Sequence, residues 1–208
     1  SHQQLRREIE AGAIGKIELV QMVCRASVMP PLEYLRSSGG QMRDQAIHFF
    51  DLLRFLTGDE VTTVAALGAA LALAEIAEFD DVDTSIVMLR MRGGALAQLD
   101  NTRRTGHGYD ERISLLGPQG VIESGSQASR GVTLWQGARC IQPGLYPDWF
   151  SRVEGSYYAH LDAFVRSLGG EAVPDLPGLL DGLRAQAIAE AAVLSLRQGQ
   201  FVSVEPLA

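Results

Sequence analysis

The stretch GGQMRDQAIHFFDLLRFLTG, residues 39–58, places Asp44, His48 and Asp51 in a segment otherwise composed for burial. Successive residues of an α-helix are 100° apart, so with Asp44 at zero, His48 falls at about +40° and Asp51 at about −20°. The three polar side chains share one wedge. Met42, Ala46, Phe49, Phe50, Leu52, Leu53, Phe55 and Leu56 occupy most of the remaining circumference, the pattern of a helix packed inside a domain. The wedge is expected to face a cleft. A carboxylate one turn before a histidine can orient the imidazole and favour its protonated form, which is what a general base needs. Two other readings of the same residues stay open. One is a core histidine with the aspartates paired to Arg43 and Arg54. The other is a metal site of Asp44, His48 and Asp51, although no second histidine or cysteine lies near in sequence.

The elements that position this wedge are legible on either side of it. SHQQLRREIEAGAIGKIELVQM gives a short polar helix, a stop at Gly12 or Gly15 and a strand over residues 17–23. The loop RASVMPPLEYLRSSGG, stiffened by Pro30 and Pro31, follows; loops of this length inside a domain are often functional. The middle of the chain is β-rich. DTSIVMLRMRGGALAQLDNTRR reads as two strands about Gly93-Gly94, RISLLGPQGVIES as two more about Gly117–Gly120, and GVTLWQGARCIQ as at least one further strand. The end returns to helix in EGSYYAHLDAFVRSLGG and LLDGLRAQAIAEAAVLSLRQG, where Leu183, Ala187, Ala191 and Leu194 recur at near-helical spacing and Gly199 stops the run. Strands grouped in the middle with helices at both ends describe an α+β fold.

With 208 residues, 46% hydrophobic and 21% charged, the chain can build a substantial core. A formal charge of −7 and a pI near 5.1 argue against recognition of a nucleic-acid backbone. The five arginines from Arg90 to Arg112 are interleaved with acids and read as ion pairs or local site residues. No apolar run is long enough for a membrane span and no secretion signal opens the chain, so a cytoplasmic location is expected. Cys24 and Cys140 form no CxxC pattern, and a buried, reduced thiol is expected of each. His2 and His160 lack chemical neighbours in sequence and are expected at the surface.

Three segments in order carry a resemblance. SGGQMRDQAIHFFDLLRFLTG resembles the Asp-x-x-x-His helix of the inositol 2-dehydrogenases within the Gfo/Idh/MocA oxidoreductases. DNTRRTGHGYDERISLLGPQGVIE is similar to that family's asparagine, paired-arginine and Gly-Tyr-Asp segment, and DGLRAQAIAEAAVLSLRQGQFVSV to its C-terminal helix and strand. The family joins an N-terminal Rossmann domain to a C-terminal α+β domain with an open sheet, and this chain resembles the second part. It lacks both a GxGxxG turn and the family's Glu-Lys-Pro motif. Residues 1–208 are therefore expected to be the C-terminal substrate-binding and oligomerisation domain, with Ser1 a cloning remnant.

The resemblance implies an open, predominantly antiparallel sheet with helices on one face. It implies oxidation of a ring hydroxyl of a cyclic polyol or sugar, with NAD or NADP bound by the full-length protein and none by this chain alone. His48 matches the family's general base and Asp44 its partner. Tyr109, Arg25 and His107 fall at positions expected to meet substrate. Cys24-Arg25-Ala26 departs from a His-Arg-Asn triplet of some members, and cysteine and alanine cannot supply the same polyol hydrogen bonds. The implied partners are the chain's own Rossmann domain and further copies meeting through the sheet, as a dimer or tetramer. In the first strand of DTSIVMLRMRGGALAQLDNTRR both sets of alternating residues are largely apolar, Ser85, Val87, Leu89 and Met91 against Ile86, Met88 and Arg90, which suits helices on one face and a partner on the other. A catalytically silent sugar-binding domain and a metal-dependent sugar isomerase are the alternative readings.

Overall fold

The computed structural model describes residues 1–129 and 131–205. Helix α1 spans His2–Glu10, β1 Leu19–Arg25 and the short α2 Leu32–Ser37. A π-helical turn, Met42–Ala46, leads directly into α3, Ile47–Thr57. Strands β2 (Val61–Ala69), β3 (Thr84–Met91), β4 (Leu96–Thr102), β5 (Asp110–Gly117) and β6 (Gly120–Ser124) follow, with a 3-10 turn at Ala74–Phe79. Strands β7 (Leu134–Gln136) and β8 (Arg139–Ile141), helices α4 (Trp149–Leu168) and α5 (Leu179–Gln198), and β9 (Val202–Ser203) complete the chain.

Seven strands form one sheet in the order β6-β5-β1-β4-β3-β2-β9. Only β1 and β4 run parallel; every other neighbouring pair in it is antiparallel. The expected open, mostly antiparallel α+β sheet is therefore present. The turns about Gly93-Gly94 and Gly117–Gly120 join β3 to β4 and β5 to β6. The segment expected to add a strand supplies two, β7 and β8, which pair with each other as a separate ribbon. The first strand begins two residues later than expected, at Leu19.

Strand alternation sorts the sheet into two faces. Val20, Met22 and Cys24 of β1, Val87, Leu89 and Met91 of β3, Ala97 and Leu99 of β4, and Ile113 and Leu115 of β5 enter the core with Phe49, Phe50, Leu53 and Leu56 of α3. The other face leaves Ile86 and Met88 each 51% exposed. Helix α5 joins the core face through Ala185, Ile188, Ala189, Ala191, Ala192 and Ser195. Its small residues let the helix lie close to the sheet, and Ser195 caps the approach by accepting Ala66 N–H at 2.9 Å. Leu183 and Leu194, part of the apolar periodicity, point outward instead. Gly199 ends the helix in the left-handed conformation at φ 65°.

Two expectations about single side chains fail. Cys24 is buried, but Cys140 is exposed because it lies on the two-stranded ribbon rather than in the main sheet. His160 is exposed, but His2 is drawn inward to Glu111, with Nε2 2.7 Å from Oε1. Among the described residues, no helix is long and apolar enough to cross a membrane.

Candidate functional site

The helix carrying the polar wedge is not α-helical throughout. Its first turn winds as a π-helix, so the 100° step applies only from Ile47 onward. Two glycines at positive φ, Gly39 and Gly40, deliver the chain into that turn. At Gly40 the backbone passes so close to Asp81 that a Cβ would lie 2.9 Å from Oδ1. That same Oδ1 accepts Gln41 N–H at 2.8 Å and holds the start of the turn.

A buried polar scaffold stands behind it. Asp83, wholly buried, accepts the backbone N–H groups of Leu71, Ala72 and Leu73 and the Thr84 hydroxyl at 2.8–3.0 Å. Burial alone would raise its pKa; the three amides and the hydroxyl outweigh it and hold the carboxyl below the ordinary value. The Asp83 carbonyl accepts from Gln41 Nε2 and from Arg103 N–H, each at 2.8 Å, and Ser85 Oγ donates to Gln41 Oε1 at 2.7 Å.

On this scaffold Asp44 is held from two sides. Arg103, one residue beyond β4 and 2% exposed, donates from Nη1 to Oδ2 at 2.7 Å. Tyr34, on α2 and half exposed, donates to Oδ1 at 2.5 Å, and this bond chiefly raises the phenol's pKa. With both oxygens so engaged, Asp44 makes no hydrogen bond to His48 among the described residues. His48 is exposed on the next turn. Asp51, the third member of the wedge, pairs with Arg54 at 3.2 Å, and burial raises its pKa against that pairing. The two carboxylates thus have separate arginine partners, Arg103 and Arg54, and among the described residues no group of three or more potential metal ligands is found.

Beside Asp44, Gln45 donates from Nε2 to the Thr102 carbonyl at 3.0 Å and contacts Cys24 Sγ at 3.6 Å. Burial pushes both the Cys24 thiol and the neighbouring Tyr109 phenol well up. Gln45 thus reaches Cys24 beside Asp44, with Tyr109 close to that thiol. Arg25 and His107 lie apart from this group. Arg25 follows Cys24 in the strand, so it emerges on the opposite face and pairs with Asp100, while His107 Nε2 lies 3.3 Å from Asp110 Oδ2. Asp110 collects His107, Arg112 and Ser126, with Arg25 Nη1 at 3.9 Å.

Three residues of this site go beyond the sequence-level set: Tyr34, Gln45 and Arg103. Tyr34 lies in the Pro- and Gly-bounded loop and Arg103 is the first of the paired arginines, so both carried a signal in position. Gln45 carried none. Among the described residues, no Gly-rich turn leads from a strand into a helix.

Comparison with known proteins gives the family. The myo-inositol 2-dehydrogenase of Thermotoga maritima is 36% identical over 204 residues, spanning 97% of this chain and 60% of that protein. The scyllo-inositol 2-dehydrogenase (NAD(+)) of Bacillus subtilis is 28% identical, over 96% of this chain and 58% of its own length. The crystal structure of a myo-inositol dehydrogenase from Corynebacterium glutamicum superposes with a TM-score of 0.90 at 29% identity, covering 100% of this chain and 62% of that one. The chain spans about three-fifths of the curated relatives it matches. Residues 2–123 match the family described as the GFO/IDH/MocA C-terminal domain, and the chain belongs to that family.

Proposed function

We propose that this chain is the substrate-binding half of an NAD-dependent dehydrogenase that oxidises a ring hydroxyl of an inositol or a related cyclic polyol. The observation that carries the reading is the Asp44 carboxylate, fixed by a buried arginine on a π-helical turn, with the exposed imidazole of His48 on the turn that follows. Irregular turns of this kind are frequent at functional sites. Membership of the family and the names of its relatives support the substrate class.

In this reading His48 takes the proton of the reacting hydroxyl, and its exposure leaves the imidazole accessible for that role. Asp44 accepts a substrate hydroxyl at Oδ1, the oxygen now capped by the exposed Tyr34, while Oδ2 stays with Arg103. Tyr109 lines the far end of the cleft beside Cys24. The nicotinamide, bound by a domain outside this chain, supplies the hydride acceptor. Arg25 and His107 serve the Asp110 cluster on the opposite face. That face, with Ile86, Met88, Leu96 and Val121 about half exposed, is the surface for a second copy.

The test is a panel of inositols with NAD⁺ applied to the protein that joins this chain to a dinucleotide-binding domain. Turnover of at least one cyclic polyol is expected there, and none from the 208-residue chain alone. His48→Ala is expected to lower kcat on the order of 10²- to 10⁴-fold. An unchanged kcat removes His48 from the chemistry.

A further inference from the structure

Arg103 poses an energetic problem that the proposed function does not absorb. It is 2% exposed and among the largest fully buried side chains of the protein. Its guanidinium makes one close hydrogen bond, from Nη1 to Asp44 Oδ2 at 2.7 Å, while Nη2 is 4.0 Å from Asp81 Oδ2. Nε and Nη2, both buried, find no protein acceptor within hydrogen-bond distance among the described residues. A buried cation stabilises a fold only when its geometry is good and its remaining donors are satisfied; otherwise a well-packed apolar side chain does as well or better. Arg103 fails the second condition, so its place at this point is poorly explained by stability.

Its backbone is fixed more firmly than its head group. Arg103 N–H donates to the Asp83 carbonyl at 2.8 Å, and Asp83 is itself anchored by four hydrogen bonds. The arginine therefore leaves a rigid strand end at a set point and reaches one atom, Oδ2 of Asp44. The opposite oxygen faces an exposed phenol that a ligand can displace. The two partners of Asp44 divide in kind: one buried and permanent, the other on the surface and replaceable.

Resting on the proposed dehydrogenase reading, we infer that Arg103 is the positioning residue for the Asp44 carboxylate, holding Oδ2 so that Oδ1 is presented to a substrate hydroxyl. It touches no reacting atom and acts through Asp44 alone. A rigid acceptor in this place aligns the polyol ring against His48, and misplacement by an ångström costs on the order of 10²-fold in rate.

The test uses the protein joined to its dinucleotide-binding domain, with an inositol found active in the panel. Arg103→Gln is expected to lower kcat/KM on the order of 10²-fold, with KM raised in protein whose thermal transition shows it folded. Arg103→Lys, which keeps the charge but not the planar fork, is expected to recover about tenfold of that loss. Combined with Asp44→Asn, Arg103→Gln is expected to add less than about threefold, because the two residues act as one unit. Losses that multiply in the double variant overturn the inference, as does a fall in kcat proportional to the unfolded fraction with KM unchanged. Should Arg103→Gln fail to fold, Arg103→Lys decides: wild-type KM and kcat refute positioning. Absence of wild-type activity on every inositol overturns the reading beneath the inference, whereas an active wild type with an unaltered Arg103→Gln overturns the inference alone.

Discussion

Asp83→Asn removes a single charge from the floor of the site with almost no change of shape. In the folded protein Oδ1 accepts from Leu71 N–H at 3.0 Å and the Thr84 hydroxyl at 2.8 Å, and Oδ2 from Ala72 and Leu73 N–H at 2.8 and 2.9 Å. An asparagine amide keeps one acceptor oxygen and turns an NH₂ group on the donors that met the other. Two hydrogen bonds to a charged group are thereby lost, each worth about 1.5–3 kcal/mol, for a total of about 3–6 kcal/mol. At about 2–4 °C per kcal/mol for a chain of this size, the melting temperature should fall by roughly 6–24 °C. The assay is thermal denaturation of both proteins across a pH series. Burial pushes the Asp83 pKa up, but the amides of Leu73, Ala72 and Leu71 and the Thr84 hydroxyl depress it overall. A depressed carboxyl contributes stability that is complete above its unfolded pKa of about 3.9 and is lost as the pH falls through the lower folded value. The gap between wild type and variant should therefore be full near neutrality and narrow below about pH 4. A fall under about 2 °C, or a gap that widens with acid, would refute the reasoning.

Further outcomes follow from single contacts. Gly40→Ala puts a Cβ 2.9 Å from Asp81 Oδ1 at a backbone φ of +90° and should cost at least about 1–2 kcal/mol, measured by urea unfolding. Native protein should expose one thiol to alkylation, Cys140, with Cys24 reacting only on unfolding because burial raises its pKa and shields it; mass spectrometry of the labelled protein distinguishes the two. Arg54→Met strips three partly exposed carboxylates, Glu60, Asp181 and Asp51, of a 7%-exposed partner and should cost about 1–3 kcal/mol at pH 7. Because Arg54 holds the Glu60 pKa down, that cost should shrink below about pH 4.

How much of this was written in the sequence depends on the distance over which each signal acts. The hairpins about Gly93-Gly94 and Gly117–Gly120 are local, since a tight turn between alternating strands needs little beyond its own residues. The helix 39–58 was legible as buried for the same reason. Its π-turn was not: the turn begins where Gly40 passes Asp81 and Gln41 N–H donates to that residue, which lies far along the chain. Cys140 shows the opposite failure. A cysteine without a CxxC partner reads as a buried thiol, yet β7 and β8 pair with each other and leave every one of their residues exposed. At Arg25 one step of alternation decides the surroundings: Cys24 enters the core, so the next side chain leaves by the other face and pairs with Asp100.

The division between Asp44 and Asp51 shows what a shared helical wedge can and cannot decide. The two residues are chemically identical and lie within a few tens of degrees of one another in an ideal α-helix, so nothing in their spacing distinguishes a substrate ligand from a structural anchor. Their partners do. Asp51 meets Arg54, which already holds Glu60 through two hydrogen bonds of 2.8 and 3.0 Å and also reaches Asp181. It is one of several acids around a cation whose needs are met within the fold. Asp44 meets an arginine with no other close side-chain partner among the described residues, and a tyrosine at the surface. One carboxylate completes a satisfied cluster; the other keeps an oxygen whose donor is an exposed phenol, the group that a substrate hydroxyl replaces in the proposed function. An unfinished hydrogen-bond arrangement is costly in a protein interior, and it is at the edge of a cleft, where substrate supplies the missing group, that such a cost is offset.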